Sequence, residues 1–329
     1  MFSRLLFASL FFLAGINSAL SATAPLLSLD PGGHQSIIQS LAFTPDGKSI
    51  VSAGDDKVIR IWDLQAEKTV RKIRGEIRPG PVGAIYAMAL SPDGRRLAVG
   101  GYMHSSCPGR CGEIRLYDFE TGVLEVLLRG HRHVVQRLAF SADSKFLVSG
   151  SSDFEAIIWD VESGLLHQRL RHRIDVIAAA FTPDGKNVVT AVGETLMLWR
   201  VSDGAFLKEM PGHRSSLFSL DVSRDGTIAS ADHGGEIHLW DAATGEPKKV
   251  LLRQGHDIGW VRFSPDGKRL LVTSGRTPNQ EQIFDVNSGE LLTSYDRHKG
   301  VVLPGAFAPD GCEAAWNSDP VFGVIGVEN

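Results

Sequence analysis

Cysteine is scarce, with three residues in a chain of 329, too few to staple a fold as a disulfide scaffold. An excess of one charge is also missing. The formal net charge is -4, which supplies no whole-chain drive toward nucleic acid or an anionic membrane. Past the first two dozen residues, no apolar run is long enough to cross a bilayer as a helix. No His-Glu-x-x-His spacing is present to hold a metal on a helix. Neither a Walker-type glycine loop nor a Gly-x-Ser-x-Gly elbow occurs. Cys312 stands in neither of the sequence contexts that mark common cysteine nucleophiles. These absences leave no catalytic constellation, no metal and no cofactor to expect.

The chain begins with a short positive start at Arg4, an apolar run over residues 5–14, and small residues at Ala19, Ser21, Ala22 and Ala24. That order reads as a cleavable signal peptide over residues 1–21, cut between 19 and 24, ahead of a domain over residues 22–329. Export, to a periplasm or to the outside, is the expectation. An uncleaved anchor is disfavoured because the run is short for a bilayer.

What the chain has in quantity is turns, with Gly and Pro supplying 35 and 15 residues. They are periodic. A turn related to (Ser/Thr/Ala)-Pro-Asp-Gly recurs with its aspartate at Asp46, Asp93, Asp143, Asp184, Asp225, Asp266 and Asp310. A short apolar segment precedes each turn, as at Leu138, Ala139 and Phe140, and a β-branched run follows. A third segment ends in an aromatic residue, usually before Asp: Trp62, Tyr117, Trp159, Trp199, Trp240 and Phe284. A glycine turn and a fourth apolar run complete the unit. Four short strands joined by tight turns make an antiparallel meander. One such meander cannot bury both faces, but stacking meanders around an axis can.

The Gly-His, Pro-Asp-Gly and Trp-Asp pattern resembles WD40 repeats, over about residues 26–329. The resemblance implies an all-β fold, a seven-bladed propeller of four-stranded antiparallel blades. The last copy offers three segments, residues 301–307, 312–316 and 321–327, so an N-terminal strand at residues 26–30 is expected to close the ring. An open array continuing into a further region is the alternative. The array also resembles those that precede caspase-like peptidase domains in some bacterial-type chains.

Two sets of Ser, His and Asp invite a nucleophile reading: His34, Ser52 and Asp56 with Trp62, and His131, Ser149 and Asp153 with Trp159. Because the set recurs, the resemblance makes it a structural network tying outer strands to the inner turn. Copies that degrade it should lose its geometry; Gly100 replaces the serine in copy two, and Gly234 sits at the aspartate position in copy five. His133 and His172 are left spare, a weak hint of a metal site that a solvated loop explains better.

Two insertions lengthen the repeat, residues 75–83 and residues 102–112. Both connections should emerge on one propeller face as a raised lip carrying Tyr102 and Met103. In an oxidising compartment Cys107 and Cys111 could bridge across Pro108-Gly109; two free thiols, or a weak metal site with His104, are the alternatives. Loops from a fourth strand to the next first strand are basic, with Arg132, His133, Arg173, Arg214 and Lys299. They suit an acidic protein segment or an anionic envelope polymer. The expectation is a monomeric, non-enzymatic recognition module or scaffold for protein–protein interaction outside the cytoplasm, with no nucleic acid and no membrane span. The alternatives are the recognition part of a larger caspase-like peptidase chain, or a propeller enzyme.

Overall fold

A computed structural model describes residues 33–75, 81–102, 112–253, 255, 258–274, 280–295, 302–318 and 321–326. Those residues form antiparallel meanders in strict sequence order. Six sheets have four strands and one has three. They span residues 38–74, 84–131, 135–171, 178–211, 217–253, 258–295 and 302–326.

The sheets stand in a ring. The first strand of each contacts the first strand of the next, and that of the seventh sheet, Val302–Phe307, contacts that of the first, Ile38–Phe43. First strands therefore line an axis and fourth strands form the rim. Burial follows this order. The second strand of the third sheet, Phe146–Ser151, and the third, Glu155–Asp160, are buried almost throughout, because neighbouring sheets cover both faces. The rim strand Lys68–Arg74 alternates between exposed and covered residues. Among the described residues the apolar core is divided. Apolar clusters lie between adjacent sheets, one of them joining Ile38, Leu41, Phe43, Ile50 and Trp62 to Ala308 and Ala315 of the seventh sheet.

The expectation of seven four-stranded blades needs correcting, since six are four-stranded. The seventh copy supplies three strands among the described residues, ending with Val321–Gly326. Residues 26–30, the expected closing strand, lie outside the described residues, as do the signal segment, Met103, Cys107, Cys111 and Lys299.

The recurrent aspartate turn has a chemical cause. Ser91 Oγ donates to Asp93 Oδ1 at 2.6 Å, and the same carboxylate oxygen accepts the Arg95 N–H at 3.0 Å. The Arg96 N–H donates back to Ser91 Oγ at 2.9 Å. Thr44 with Asp46, Ser141 with Asp143, Thr182 with Asp184 and Ser264 with Asp266 repeat this arrangement. Glycine follows the aspartate because the chain must cross to positive φ, as at Gly94 with φ of 72°. In the third sheet Ser144 occupies that position at φ of 62°.

A second repeated feature lies at the other end of the first strands. Six of the seven carry one extra residue relative to the neighbour strand, Gln39, Tyr86, Gln136, Phe218, Gly259 and Pro304, while Ala178–Phe181 of the fourth sheet pairs without a bulge. A bulge of this kind re-aims a side chain. Here the ring of bulges borders one mouth of the axial channel.

Candidate binding face

Loops from a fourth strand to the next first strand all leave the ring on one face, because every sheet repeats the same up-and-down path. These loops carry the network histidines. In the third sheet the Trp159 Nε1–H donates to Ser149 Oγ at 2.8 Å, and Ser149 meets His131 Nε2 at 2.7 Å. His131 Nδ1 meets Asp153 Oδ2 at 2.9 Å. Asp153 also accepts the Arg132 N–H at 2.7 Å and the Glu155 N–H at 3.1 Å, so one carboxylate fixes two loop backbones. Trp159 is 1% exposed and packs against the second sheet. The first sheet repeats the chain with Trp62, Ser52, His34 and Asp56, and adds Arg60 on Asp56 Oδ2 at 2.7 Å. Burial by itself would raise the Asp56 and Asp153 carboxyls. The histidine hydrogen bonds outweigh it, helped by Arg60 at Asp56 and by backbone N–H groups at Asp153, and hold both at about 2. These groups hydrogen-bond to one another and tie the outer strands to the loop.

Two expectations about degraded copies need correcting. In the fifth sheet the aspartate is not lost with Gly234. Asp232, two residues earlier, accepts from His213 Nδ1 at 2.7 Å, while His213 Nε2 meets Ser230 Oγ at 2.7 Å and Trp240 donates to the same serine at 2.8 Å. A buried carboxylate can reach the ring from either place on the turn. His172, set aside as spare, is the network histidine of the fourth sheet. Its Nε2 meets Thr190 Oγ1 at 3.0 Å, and Trp199 donates to that hydroxyl at 3.0 Å. Among the described residues no carboxylate joins them, and His172 Nδ1 is buried without a hydrogen-bond partner. Val192 pairs with Thr195 across a two-residue turn of Gly193 and Glu194, and Glu194 is exposed rather than turned inward. Burial pushes the His172 imidazole down to about 4 despite the nearby carbonyls of Leu170 and Phe154.

The same face holds a cavity of about 550 Å³ at the mouth of the axial channel. The bulged residues Gln39, Tyr86, Gln136 and Phe218 line it, with Ile174 and Asp175 from a fourth-to-first loop. Arg137 and Trp260 each follow their strand's bulge, in the third and sixth sheets, which are not neighbours. They meet across the channel, the guanidinium carbon standing 4.1 Å from the Trp260 ring centre and 5.9 Å from that of Phe218. Gln136 O accepts from Arg137 Nη1 at 2.7 Å. Half-buried Asp221, whose carboxylate accepts the Phe263 N–H at 2.7 Å, and Arg262 occupy matching places farther along their strands.

Sequence comparison bears on this architecture directly. The family profile described as WD domain, G-beta repeat matches residues 24–63, 122–160 and 204–241. The chain carries WD40 repeats. The three matched segments are those that hold the complete Asp-His-Ser-Trp networks, at Asp56, Asp153 and Asp232. A rat apoptotic protease-activating factor 1 is 26% identical over 86% of this chain and 25% of its own length. A guanine nucleotide-binding protein subunit beta of Arabidopsis thaliana is 24% identical over 87% of this chain and 80% of its own. The COMPASS component SWD3 of Saccharomyces cerevisiae is 28% identical over 56% and 60%. The match covers only 36% and 25% of the mouse cilia- and flagella-associated protein 52 and of the rat factor.

The WD40 framework places the residues expected at a binding site as follows. Arg132, His133, Arg173 and Arg214 are exposed on the loop face. The basic character there is partly neutralised, because buried Glu155 pairs with Arg169 and lies 3.7 Å from both Arg132 and Arg171. Arg129 pairs with Glu113 at 2.9 Å. Arg173 and Arg214 have no carboxylate partner among the described residues. Tyr102 is half-buried, and its carbonyl accepts the Gly83 N–H at 2.7 Å. The described ends of the two insertions therefore touch. Arg137, Trp260, Asp221 and Arg262 were not anticipated from sequence. Their signal was present, since arginine and aspartate replace the small or apolar residues that sister copies carry in the first strand.

Proposed function

We propose that this WD40 propeller is a non-enzymatic scaffold that binds a protein partner on the face bearing the fourth-to-first loops. One observation carries the reading: the mixed polar and aromatic cavity at the channel mouth opens on the face that also presents exposed Arg132, His133, Arg173 and Arg214 and the paired insertion ends. A concave site with a few polar groups set among apolar ones suits recognition. Two relatives are described as parts of assemblies, a COMPASS component and a guanine nucleotide-binding protein subunit, which supports the same role. Met103 and Lys299, which lie outside the described residues, join this proposal only by their place in the sequence repeat. The partner segment is acidic, the chain acts as an exported monomer after removal of residues 1–21, and residues 26–30 complete the seventh blade.

Charge reversal tests the face. Partners are captured from the exported fraction with the intact mature chain. Reversal at Arg132, Arg173 and Arg214 should weaken capture and its salt dependence. Reversal at Lys186 and Lys268, beside the aspartate turns of the opposite face, should not. Equal effects from both sets, or none from the first, would remove this face. Recovery of the protein with residues 1–21 intact in the cytoplasmic fraction would remove export.

A further inference from the structure

A guanidinium at the floor of a cavity needs an account of its charge. Arg137 sits between Trp260 and Phe218 with one donor spent on the Gln136 carbonyl. No carboxylate lies within ion-pair distance of it among the described residues. Burial and the like charge of Arg262 pull its pKa below the ordinary arginine range, though it stays cationic near neutral pH. Stacking on an aromatic face offsets part of that cost. With one donor on the Gln136 carbonyl, its remaining donors are available to a second partner. Asp221 does not fill that role. Its carboxylate takes the Phe263 N–H and feels Arg262, and burial drives it toward the neutral form.

The cavity wall is chemically mixed. Ile174, Ile177, Tyr86 and Phe218 supply apolar area, while Gln39 and Gln136 are held by Asp55 and Ser152 at 3.2 and 2.9 Å. A single anionic group flanked by apolar ones matches this lining. A polyanion does not, because Asp175 stands at the same wall and would repel further charge.

We propose that the channel mouth is a specificity pocket for one glutamate or aspartate side chain of an extended partner segment. Arg137 pairs with its carboxylate, and Trp260, Phe218 and Ile174 receive the apolar residues beside it. This deepens the protein-binding reading above and rests on it. It narrows that reading from the whole face to the channel mouth, with Arg137 rather than the basic loops as the anchor.

The probe is a blocked peptide, acetyl-Ala-Leu-Glu-Leu-Ala-amide, against the same peptide with Gln in place of Glu. Binding is followed by NMR at the Trp260 indole N–H, assigned with the Trp260→Phe variant. The Glu peptide should shift that signal and bind about tenfold tighter than the Gln peptide. Arg137→Gln should erase the preference, and Arg137→Lys should keep part of it; thermal melts of both confirm that the ring still folds. Equal binding of the two peptides, binding of neither, or an unchanged preference in Arg137→Gln overturns the proposal. So does free acetyl-glutamate amide binding as tightly as the peptide, which would mark a small-carboxylate site. Failure here with protein capture intact removes the anchor and leaves the scaffold. Arg137-dependent peptide binding with no protein captured removes the scaffold reading and leaves the pocket.

Discussion

His172 offers a measurement that isolates one blade. It is half-buried beside Trp199 with its Nδ1 covered and unpartnered, and its pKa of about 4 lies below the ordinary 6.5. The unfolded chain takes up a proton at this histidine well before the folded protein does. The stability it contributes is therefore complete above about pH 6.5 and lost progressively as pH falls through about pH 4. Between about pH 7.5 and about pH 5 the linkage is worth about 2 kcal/mol, somewhat less where the ring edge meets water. Glutamine at 172 can still reach the Thr190 hydroxyl but cannot titrate. Urea unfolding of the wild type and His172→Gln at the two pH values gives the comparison. The variant should lose about 2 kcal/mol less stability on acidification than the wild type. Contributions common to both proteins cancel in the difference. An identical loss in both would mean that His172 is not held neutral, and the account of the fourth blade would fail.

The third blade should respond in the opposite sense to loss of its carboxylate. Asp153→Ala strands His131 Nδ1 and two backbone N–H groups, and should cost about 3 kcal/mol in urea unfolding at neutral pH; a cost within experimental error would refute the network. In the wild type the support from Asp56 and Asp153, held at about 2, is present above the usual carboxylate range and lost as pH falls from about 4 through about 2. Deleting residues 22–31 should lower the melting temperature sharply if residues 26–30 close the seventh blade, and an unchanged melt of the mature chain would exclude that closure. Thiol counting on denatured, unreduced protein should find only Cys312 free, whereas three free thiols would rule out a Cys107–Cys111 bridge, whose loop is worth only about 2 kcal/mol.

Local chemistry determined much of this protein before any folding was considered. The (Ser/Thr)-Pro-Asp-Gly turns are visible in sequence because hydroxyl, carboxylate and positive-φ glycine act within five residues of one another. The four-stranded meander follows from them in six of the copies, and so does stacking, since a meander buried on both faces must pack against its neighbours. The networks at His34 and His131 were legible because their members keep fixed offsets. The offsets misled where a loop changed length. Asp232 reaches its histidine from two residues early, and His172 joined Thr190 although no aspartate marked the site. Such substitutions depend on where side chains point in space, which spacing alone does not encode. The channel mouth was decided by tertiary structure alone. Arg137 and Trp260 are separated by over a hundred residues and belong to sheets that never pair. Only closure of the ring brings a cation from one side of the axis against an indole from the other, and one-residue bulges turn their neighbours toward the same opening.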